Sequence, residues 1–493
     1  MRRLLRIIRN ILLLAVAAIL VVAAVLAFNV VSHGSRQLEV ASLPRAAVDT
    51  EGAATRLSEA IRFRTISNFD NPDQDAEALR ALQAHIQKSF PAFHAAAKRE
   101  AIAGYSLLYT WEGSDPKAQP IALLAHQDVV PVAPGTEKDW VKPPYDGVIS
   151  DGFIWGRGSW DDKGNLYSIL EAAEAMARQG FKPKRTIYFA FGHDEEVAGT
   201  RGAKAIAATL ASRGVRLDFA IDEGLLITEG LVKGLDKPAA LIGVAEKGYA
   251  TLVLTAHATP GHSSMPPRDT AIGMMSAALT KLEEHRLPMQ MSGAAAEMFN
   301  TLAPEMRGFN RVVLSNLWLF KPLLLREFEK TGPTEAMMRT TTALTIFNAG
   351  DKDNVLPGNA TASVNFRLMP GDRQASVIDH VRRTISDDRI SIEPFPGNAE
   401  PTPVTDINRA AYQTLNRTIR EVFPDVVVAP GLMLAGTDSR HYVGVADNIF
   451  RFSPVRANAD DLKRFHGTNE RLSIDGYADM IRFYRRLIEN AAG

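Results

Sequence analysis

The stretch IALLAHQDVVP, Ile121–Pro131, is an apolar run that ends on a histidine and an acid. A strand with no polar alternation is one buried on both faces of a sheet, as in a parallel α/β layer. Two later stretches repeat the design. TIYFAF (Thr186–Phe191) runs into Gly192-His193-Asp194-Glu195-Glu196, and DFAI (Asp218–Ile221) runs into Asp222-Glu223-Gly224. Each strand therefore delivers imidazole or carboxylate just past its C-terminal end, where open α/β sheets bind their ligands. Leu166–Gln179 reads as a helix stopped by Gly180, and Gly202–Arg213 as another. Ser106–Trp111 adds a further strand, and Val48–Phe93 is largely helical, with Leu79, Leu82 and Ile86 at helical spacing. Strands alternating with helices predict an α/β fold around a mostly parallel sheet.

The pattern changes after Lys247. Tyr249–Thr255 alternates like a half-exposed strand, Ala271–His285 reads as a helix, and Leu344–Phe347, Ala360–Leu368 and Ile390–Ile392 read as strands around the helix Val377–Ile385. A segment rich in Met, Leu and Phe, Leu287–Met338, is expected to be helical, with Val312–Phe328 read as core packing before a ligand pocket. Helices at Arg409–Val422 and Gly476–Asn490 return the chain to the first unit. The expected division is a main domain in two parts, 48–247 and 398–493, with an α+β domain inserted at 248–397.

The N-terminus stands apart. Arg2, Arg3, Arg6 and Arg9 precede the apolar run Ile11–Phe28, whose 18 residues are near the minimum for a spanning helix. Basic residues on that side predict a cytoplasmic N-terminus, with the body across the membrane. Residues 1–31 are therefore read as a signal anchor and 32–47 as a polar tether. A cleaved signal, which would leave a secreted protein, is the rival, and Val25-Leu26-Ala27 is a poor cleavage site. Elsewhere the composition is that of a globular protein, with 46% apolar and 23% charged residues. Lys plus Arg equals Asp plus Glu at 56 each, which leaves no basic footprint for nucleic acid. The chain has no cysteine, so thiol catalysis and thiolate metal sites are excluded.

Separately, a loop before the helix Leu166–Gln179, GRGSWDDKG (Gly156–Gly164), brings two more carboxylates, Asp161 and Asp162. So many acids in one pocket would repel each other and raise their own pKa values. Divalent cations remove that conflict. Imidazole and carboxylate without sulfur suit zinc, with manganese or cobalt as alternatives. His126 and Asp128 are two apart and so share a strand face. Asp128 is placed to accept the second ring N–H of His126, which fixes the tautomer.

Eight segments taken in order, HQDVVP (126–131), GRGSWDDKG (156–164), HDEEVAG (193–199), IDEG (221–224), GHSSMP (261–266), NVLPG (354–358), GTDSRHY (436–442) and FHGTNE (465–470), resemble the dinuclear-zinc aminoacylase and carboxypeptidase metallopeptidase family. The nearer types are the carboxypeptidase S-like and the N-acyl-amino-acid synthase/hydrolase-like members. The resemblance implies a zinc exopeptidase-like domain, an inserted lid or dimerisation domain and two zinc ions per chain. It implies that Asp161 bridges the ions, across an Asp161–Asp162 peptide that is cis. His126 and Asp222 would complete one ion, with Glu223 as the alternative to Asp222, and Glu196 and His466 the other. Glu195 would be the general base, His262 would steady the oxyanion, and Arg367 would grip a substrate carboxylate beside Asn354 and Gly436. The implied substrate is a peptide or an N-acyl amino acid, in a chain able to pair as a homodimer.

Other histidines have blander readings. His33, His85, His94, His193, His257, His285 and His380 are taken as structural or surface groups, and His441 as a neighbour of the pocket. Asp194 reads as a turn residue, and Asp162 as a loop carboxylate. Competing functions are a small-substrate deacetylase or dipeptidase on the same scaffold, and a binding module that has lost its chemistry. The last requires a missing residue among Glu195, Asp161, His126 and His466, and all four are present.

Overall fold

The structure is a computed structural model that describes residues 1–41 and 43–493. Ser42, inside the expected tether, lies outside the described residues. An eight-stranded sheet runs in the order Lys98–Ile102, Ser106–Trp111, Ile187–Gly192, Ile121–His126, Leu217–Thr228, Ala446–Ala457, Ala239–Glu246, Val427–Met433. The first two pairings are antiparallel. From Ile187–Gly192 across to Ala446–Ala457 the neighbours are parallel, as are the last two strands. Ile121–His126 is buried at every position, because both faces of the sheet are covered. Helices Thr50–Ile61, Lys163–Arg178, Ala410–Val422 and Ile474–Ala492 pack on one face, and Ala203–Ser212 with Tyr442 and Val445 on the other. Ile474–Ala492 shows why the local sequence folds this way. Ser473 caps it by accepting from Gly476 N–H at 3.1 Å, and Tyr477, Ile481, Tyr484 and Ile488 form one buried stripe.

Several sequence expectations are corrected here. The strand expected at 218–221 runs from Leu217 to Thr228, so Asp222 and Glu223 lie within it rather than beyond it. Its ladder is interrupted between Asp222 and Leu225, where Gly224 takes φ +139°. Such a bulge re-aims side chains without ending the strand. The C-terminal part carries two strands of the main sheet, Val427–Met433 and Ala446–Ala457, in addition to the expected helices. Arg451, Ser453 and Pro454 break the apolar pattern of the second, although Arg451 is fully buried against Glu246 at 2.9 Å. Lys98–Ile102 and Ala239–Glu246 are strands as well, and neither was expected.

A second sheet, antiparallel, has the order Thr341–Ala349, Asn359–Leu368, Gly248–His257, Ile390–Pro394. Helices Ala271–Glu284 and Gln374–Ile385 cover one face and share a separate apolar core with it. Asn359–Leu368 alternates between buried and partly exposed, as a one-sided sheet requires. The segment 287–338 folds as short helices, Gly293–Leu302, Gly308–Leu314, Leu317–Phe328 and Gly332–Ala336. Together with Val427 and Ala429 they form an apolar cluster that shields the outer strand of the main sheet. The reading of Val312–Phe328 as core is only half right. Val313 and Leu314 are buried, whereas Leu317–Phe328 has no buried residue.

The N-terminal helix spans Arg2–Ser32 with no buried residue. Two residues of the segment after it, Arg36 and Gln37, lie against the body. Gln37 pairs its amide with both backbone groups of Val428, at 2.9 and 2.7 Å, and Arg36 meets Glu297 at 3.0 Å.

Candidate metal centre

The strand Ile121–His126 ends with His126 buried, its Nδ1 facing the Asp128 carbonyl at 3.0 Å and the Asp128 carboxylate at 3.3 Å. The second acceptor is the one expected from sequence; the closer carbonyl was not foreseen. These contacts hold the ring proton on Nδ1 and leave Nε2 turned toward Asp161 at 3.1 Å. Asp128 does more. Its two carboxylate oxygens accept the backbone N–H groups of Glu195 and Glu196 at 3.2 and 3.1 Å. One acid therefore sets the histidine ring and the turn that carries the adjacent glutamates. Asp194 braces that turn from behind, accepting from Arg201 and Gly202 N–H at 2.8 Å each.

Asp161 is reached from the other side by His466, whose Nε2 lies 2.7 Å from its second oxygen and 3.4 Å from Glu196. Oxygen and nitrogen atoms of His126, Asp161 and Glu196 come within 4.8 Å of one another. The Asp161–Asp162 peptide is cis. Asp162 accepts the His126 backbone N–H at 3.1 Å.

Glu470, within the FHGTNE segment, was not foreseen as a site residue. The small antiparallel sheet of Arg471–Ser473, Phe153–Trp155 and Ile149–Ser150 places it under the Gly156–Asp161 loop. One of its oxygens accepts from Gly158, Trp160 and Asp161 N–H at 3.0, 2.9 and 3.1 Å, and the other pairs with Arg157 at 2.5 Å. Arg157 in turn donates to the His466 and Gly467 carbonyls, both at 3.1 Å. His466 holds φ +56°, a left-handed conformation that non-glycine residues rarely take. Periodicity gives no sign of this brace; only a buried acid flanked by two loops reveals it.

Electrostatics ask for a cation here. Burial works against charge on both histidines, yet Asp128 and Asp161 raise His126 well above its ordinary pKa. Asp161 and Glu196 likewise raise His466 to about 10. Burial first, then the carboxylates of Asp438, Glu196 and Asp128, pushes Glu195 well above the usual range. Burial with Asp161, Asp222 and Glu195 does the same to Glu223. A buried Glu196 oxygen has no hydrogen-bond partner among the described residues. The pocket is thus short of positive charge, and its nitrogen and oxygen donors fit zinc.

Other expected residues sit further out. Asp222 has its oxygens on the backbone N–H groups of Glu223 and Ser439, at 3.0 and 2.7 Å, outside the close group. His262 stands on an exposed turn paired with Val355. Its Nδ1 accepts from Ser264 N–H at 3.1 Å, which leaves the proton on Nε2. Asn354 is its neighbour, the Asn354 carbonyl accepting from Ser263 N–H at 3.1 Å, with a buried, unpaired side-chain oxygen. Among the described residues no hydrogen bond ties His262 or Asn354 to the cluster. Arg367, on the second sheet, lies over the Tyr249 ring at 4.9 Å. Burial and the nearby Arg440 lower its pKa. A Cβ on Gly436 would come within 2.4 Å of Arg440, so glycine there lets that guanidinium approach. Arg440 reaches back to the Ala198 carbonyl at 3.0 Å, and His441 to the same carbonyl at 3.0 Å. Burial lowers His441 to about 4, which keeps it neutral and structural.

Comparison with known proteins agrees with this chemistry. The N-fatty-acyl-amino acid synthase/hydrolase PM20D1 of Xenopus tropicalis is 43% identical over 439 residues, covering 88% of this chain and 85% of that one. The probable carboxypeptidase S-like 2 of Dictyostelium discoideum is 43% identical over 441 residues, covering 89% and 84%. Among solved structures, the M20 family metallo-carboxypeptidase Sso-CP2 of Sulfolobus solfataricus superposes with a TM-score of 0.64 at 18% identity, covering 89% of this chain and 99% of that one. Residues 122–490 match peptidase family M20/M25/M40. The chain belongs to that family of metal-dependent hydrolases.

Proposed function

We propose that the chain is a two-zinc amidohydrolase that cleaves an amide bond beside a free carboxylate, with N-acyl amino acids as its favoured substrates. The observation that carries this reading is the meeting of His126, Asp161, Glu196 and His466, with both imidazoles reaching the two oxygens of Asp161. Asp161 would lie between the ions, with His126 and Asp222 on one side and Glu196 and His466 on the other; Glu223 is the alternative to Asp222. When bound, the ions polarise the scissile carbonyl and acidify a water. Glu195 takes the proton from that water on a carboxylate oxygen and passes it to the leaving nitrogen. Asp128 keeps the His126 proton on Nδ1 and holds the glutamate turn in register. His262 offers its Nε2 proton to the developing oxyanion. Because His262, Asn354 and Arg367 ride on the inserted unit, residues 248–397, that unit acts as a lid whose closure completes the site. The remaining parts, 48–247 and 398–493, form the catalytic domain.

Arg367, with Arg440 and the Gly436 turn, would receive the substrate carboxylate. Lysine lacks the planar fork that matches a carboxylate. Arg367→Lys is therefore expected to raise KM roughly 10- to 100-fold, the loss of a charge-assisted hydrogen bond, with a smaller change in kcat. Steady-state kinetics check it, and an unchanged KM removes Arg367 from substrate binding.

The acyl preference is supported by the relative named for that chemistry and by the apolar insertion; the carboxypeptidase S-like relative, equally similar at 43% identity, supports the peptide reading. Purified full chain assayed on N-oleoyl amino acids and on blocked dipeptides separates the two. The proposal expects faster turnover of the acyl substrates; the reverse ranking gives the carboxypeptidase, and turnover of neither with zinc present sinks both. Chelation is expected to abolish turnover and added zinc to restore it.

The helix Arg2–Ser32 supports an uncleaved anchor with the body on the non-cytoplasmic side. Its 31 residues outspan a hydrocarbon core of about 30 Å. Secretion after cleavage is the alternative, and the mass of the mature protein distinguishes them. The exposed outer strand Thr341–Ala349, with Ile346 and Phe347 in solvent, supports pairing of two chains.

A further inference from the structure

We propose that the helix Leu317–Phe328 and Phe309, at the start of the helix Gly308–Leu314, rest on the lipid bilayer beside the N-terminal helix. The inference rests on the reading of Arg2–Ser32 as an uncleaved anchor. Leu317, Leu324, Leu325 and Phe328 face the apolar cluster that shields the main sheet. At ~100° per residue, Leu319, Pro322, Leu323 and Arg326 lie on the opposite side with Trp318 on its flank, and all five are exposed. Trp318 is 60% exposed, Leu323 58% and Phe309 67%. Phe309 extends the patch by packing edge-on to Phe320, with ring centres 6.1 Å apart. A helix apolar on both sides is either buried or faces lipid, and protein covers only one side of this one. Contiguous exposed apolar surface of this kind marks an interaction site.

The occupant follows from what holds the patch. Asn316, fully buried, donates to the Leu26 carbonyl at 3.3 Å and accepts from Asn29 Nδ2 at 2.9 Å. Arg311 donates to the Val30 carbonyl at 3.3 Å, and His33 meets Ser315 and the Asn300 carbonyl at 3.3 and 3.0 Å. The Trp318 indole N–H donates to Asn316 at 3.3 Å. The clasped residues, 26–33, are the last turns of the N-terminal helix, where the apolar run Ile11–Phe28 ends. The exposed face is thereby fixed at the level where an anchor leaves the hydrocarbon. Trp, Leu, Lys and Arg on a short helix at that depth are the residues of an interfacial helix. The same helical segment is tied to the chain just before the second sheet, since Lys247 donates to the Ala336 and Arg339 carbonyls at 2.8 Å each.

The chain provides its own reporter. Of five tryptophans, Trp111, Trp140, Trp155 and Trp160 are no more than 8% exposed, against 60% for Trp318. Full-length protein is reconstituted in nanodiscs of phosphatidylcholine with plain or brominated acyl chains, and tryptophan emission is read. Brominated chains are expected to quench it, Trp318→Phe to remove most of that quenching, and aqueous iodide to have little effect on the wild type in plain discs. Leu323→Glu is expected to weaken the quenching while leaving turnover of a water-soluble substrate unchanged. Protein held in the discs with no bromine quenching, with quenching that survives Trp318→Phe, or with full access for iodide overturns the docking alone. Protein that does not enter discs overturns the anchor reading and this inference with it.

Discussion

Glu195→Gln is expected to lower kcat by about 10²–10⁴-fold, with KM and zinc content per chain unchanged. That range corresponds to about 3–5 kcal/mol of transition-state stabilisation. The substitution is nearly isosteric, and what fixes the turn is the backbone. Glu195 and Glu196 are held through their N–H groups by Asp128, at 3.2 and 3.1 Å, and an amide side chain leaves both bonds in place. The charge itself is unwelcome in the folded protein, since burial and then Asp438, Glu196 and Asp128 push the Glu195 carboxyl well above its ordinary pKa. Removing it should leave the melting temperature of the zinc-stripped protein unchanged or higher, the usual exchange of stability for activity where acids are crowded for function. Kinetics, zinc analysis and thermal melting on one preparation test all three parts. Wild-type turnover in this variant would assign the proton transfer to another group.

What could be read from sequence followed burial on both faces of the sheet. The run ending at His126 was legible because nothing polar interrupts it, and the run before Glu195 for the same reason. Asp161 and His466 lie on loops, where no periodicity operates; the acid pair marks the first as a candidate, and the resemblance alone brings in His466 and the role of Asp161. The apolar run DFAI stops at Asp222, which puts that acid after its strand; in the structure Gly224 bulges the strand and the apolar residues resume. The strand Ala446–Ala457 was hidden by Arg451, whose charge is buried against Glu246. The stretch Val312–Phe328 failed for a different reason. Apolar composition reports a wish to leave water, and does not say whether protein or lipid is the destination. Structure alone separated its inner face from its outer one.

Glu470→Gln is expected to destabilise the fold by about 3–5 kcal/mol, the range for breaking a buried pair and stranding one charge. Arg157 is 2% exposed, and its charged partner here is Glu470. Glutamine keeps an acceptor for the N–H groups of Gly158, Trp160 and Asp161, yet sets an amide NH2 against Arg157 at a 2.5 Å contact. The damage would reach the metal centre through two arms. One is the Asp161 loop itself; the other is the His466 turn, whose carbonyls Arg157 holds at 3.1 Å. A non-glycine residue at φ +56° costs about 1–3 kcal/mol unless its surroundings enforce it, and this brace does the enforcing. A double variant, Arg157→Met with Glu470→Gln, separates the two contributions. It strands no charge, and glutamine still accepts from the Gly158, Trp160 and Asp161 N–H groups, so the denaturation midpoint should largely recover. Zinc affinity should not, because the His466 turn stays unbraced. Urea unfolding and zinc titration of both variants decide it. A double variant that regains zinc affinity together with stability would show that Glu470 serves the fold alone.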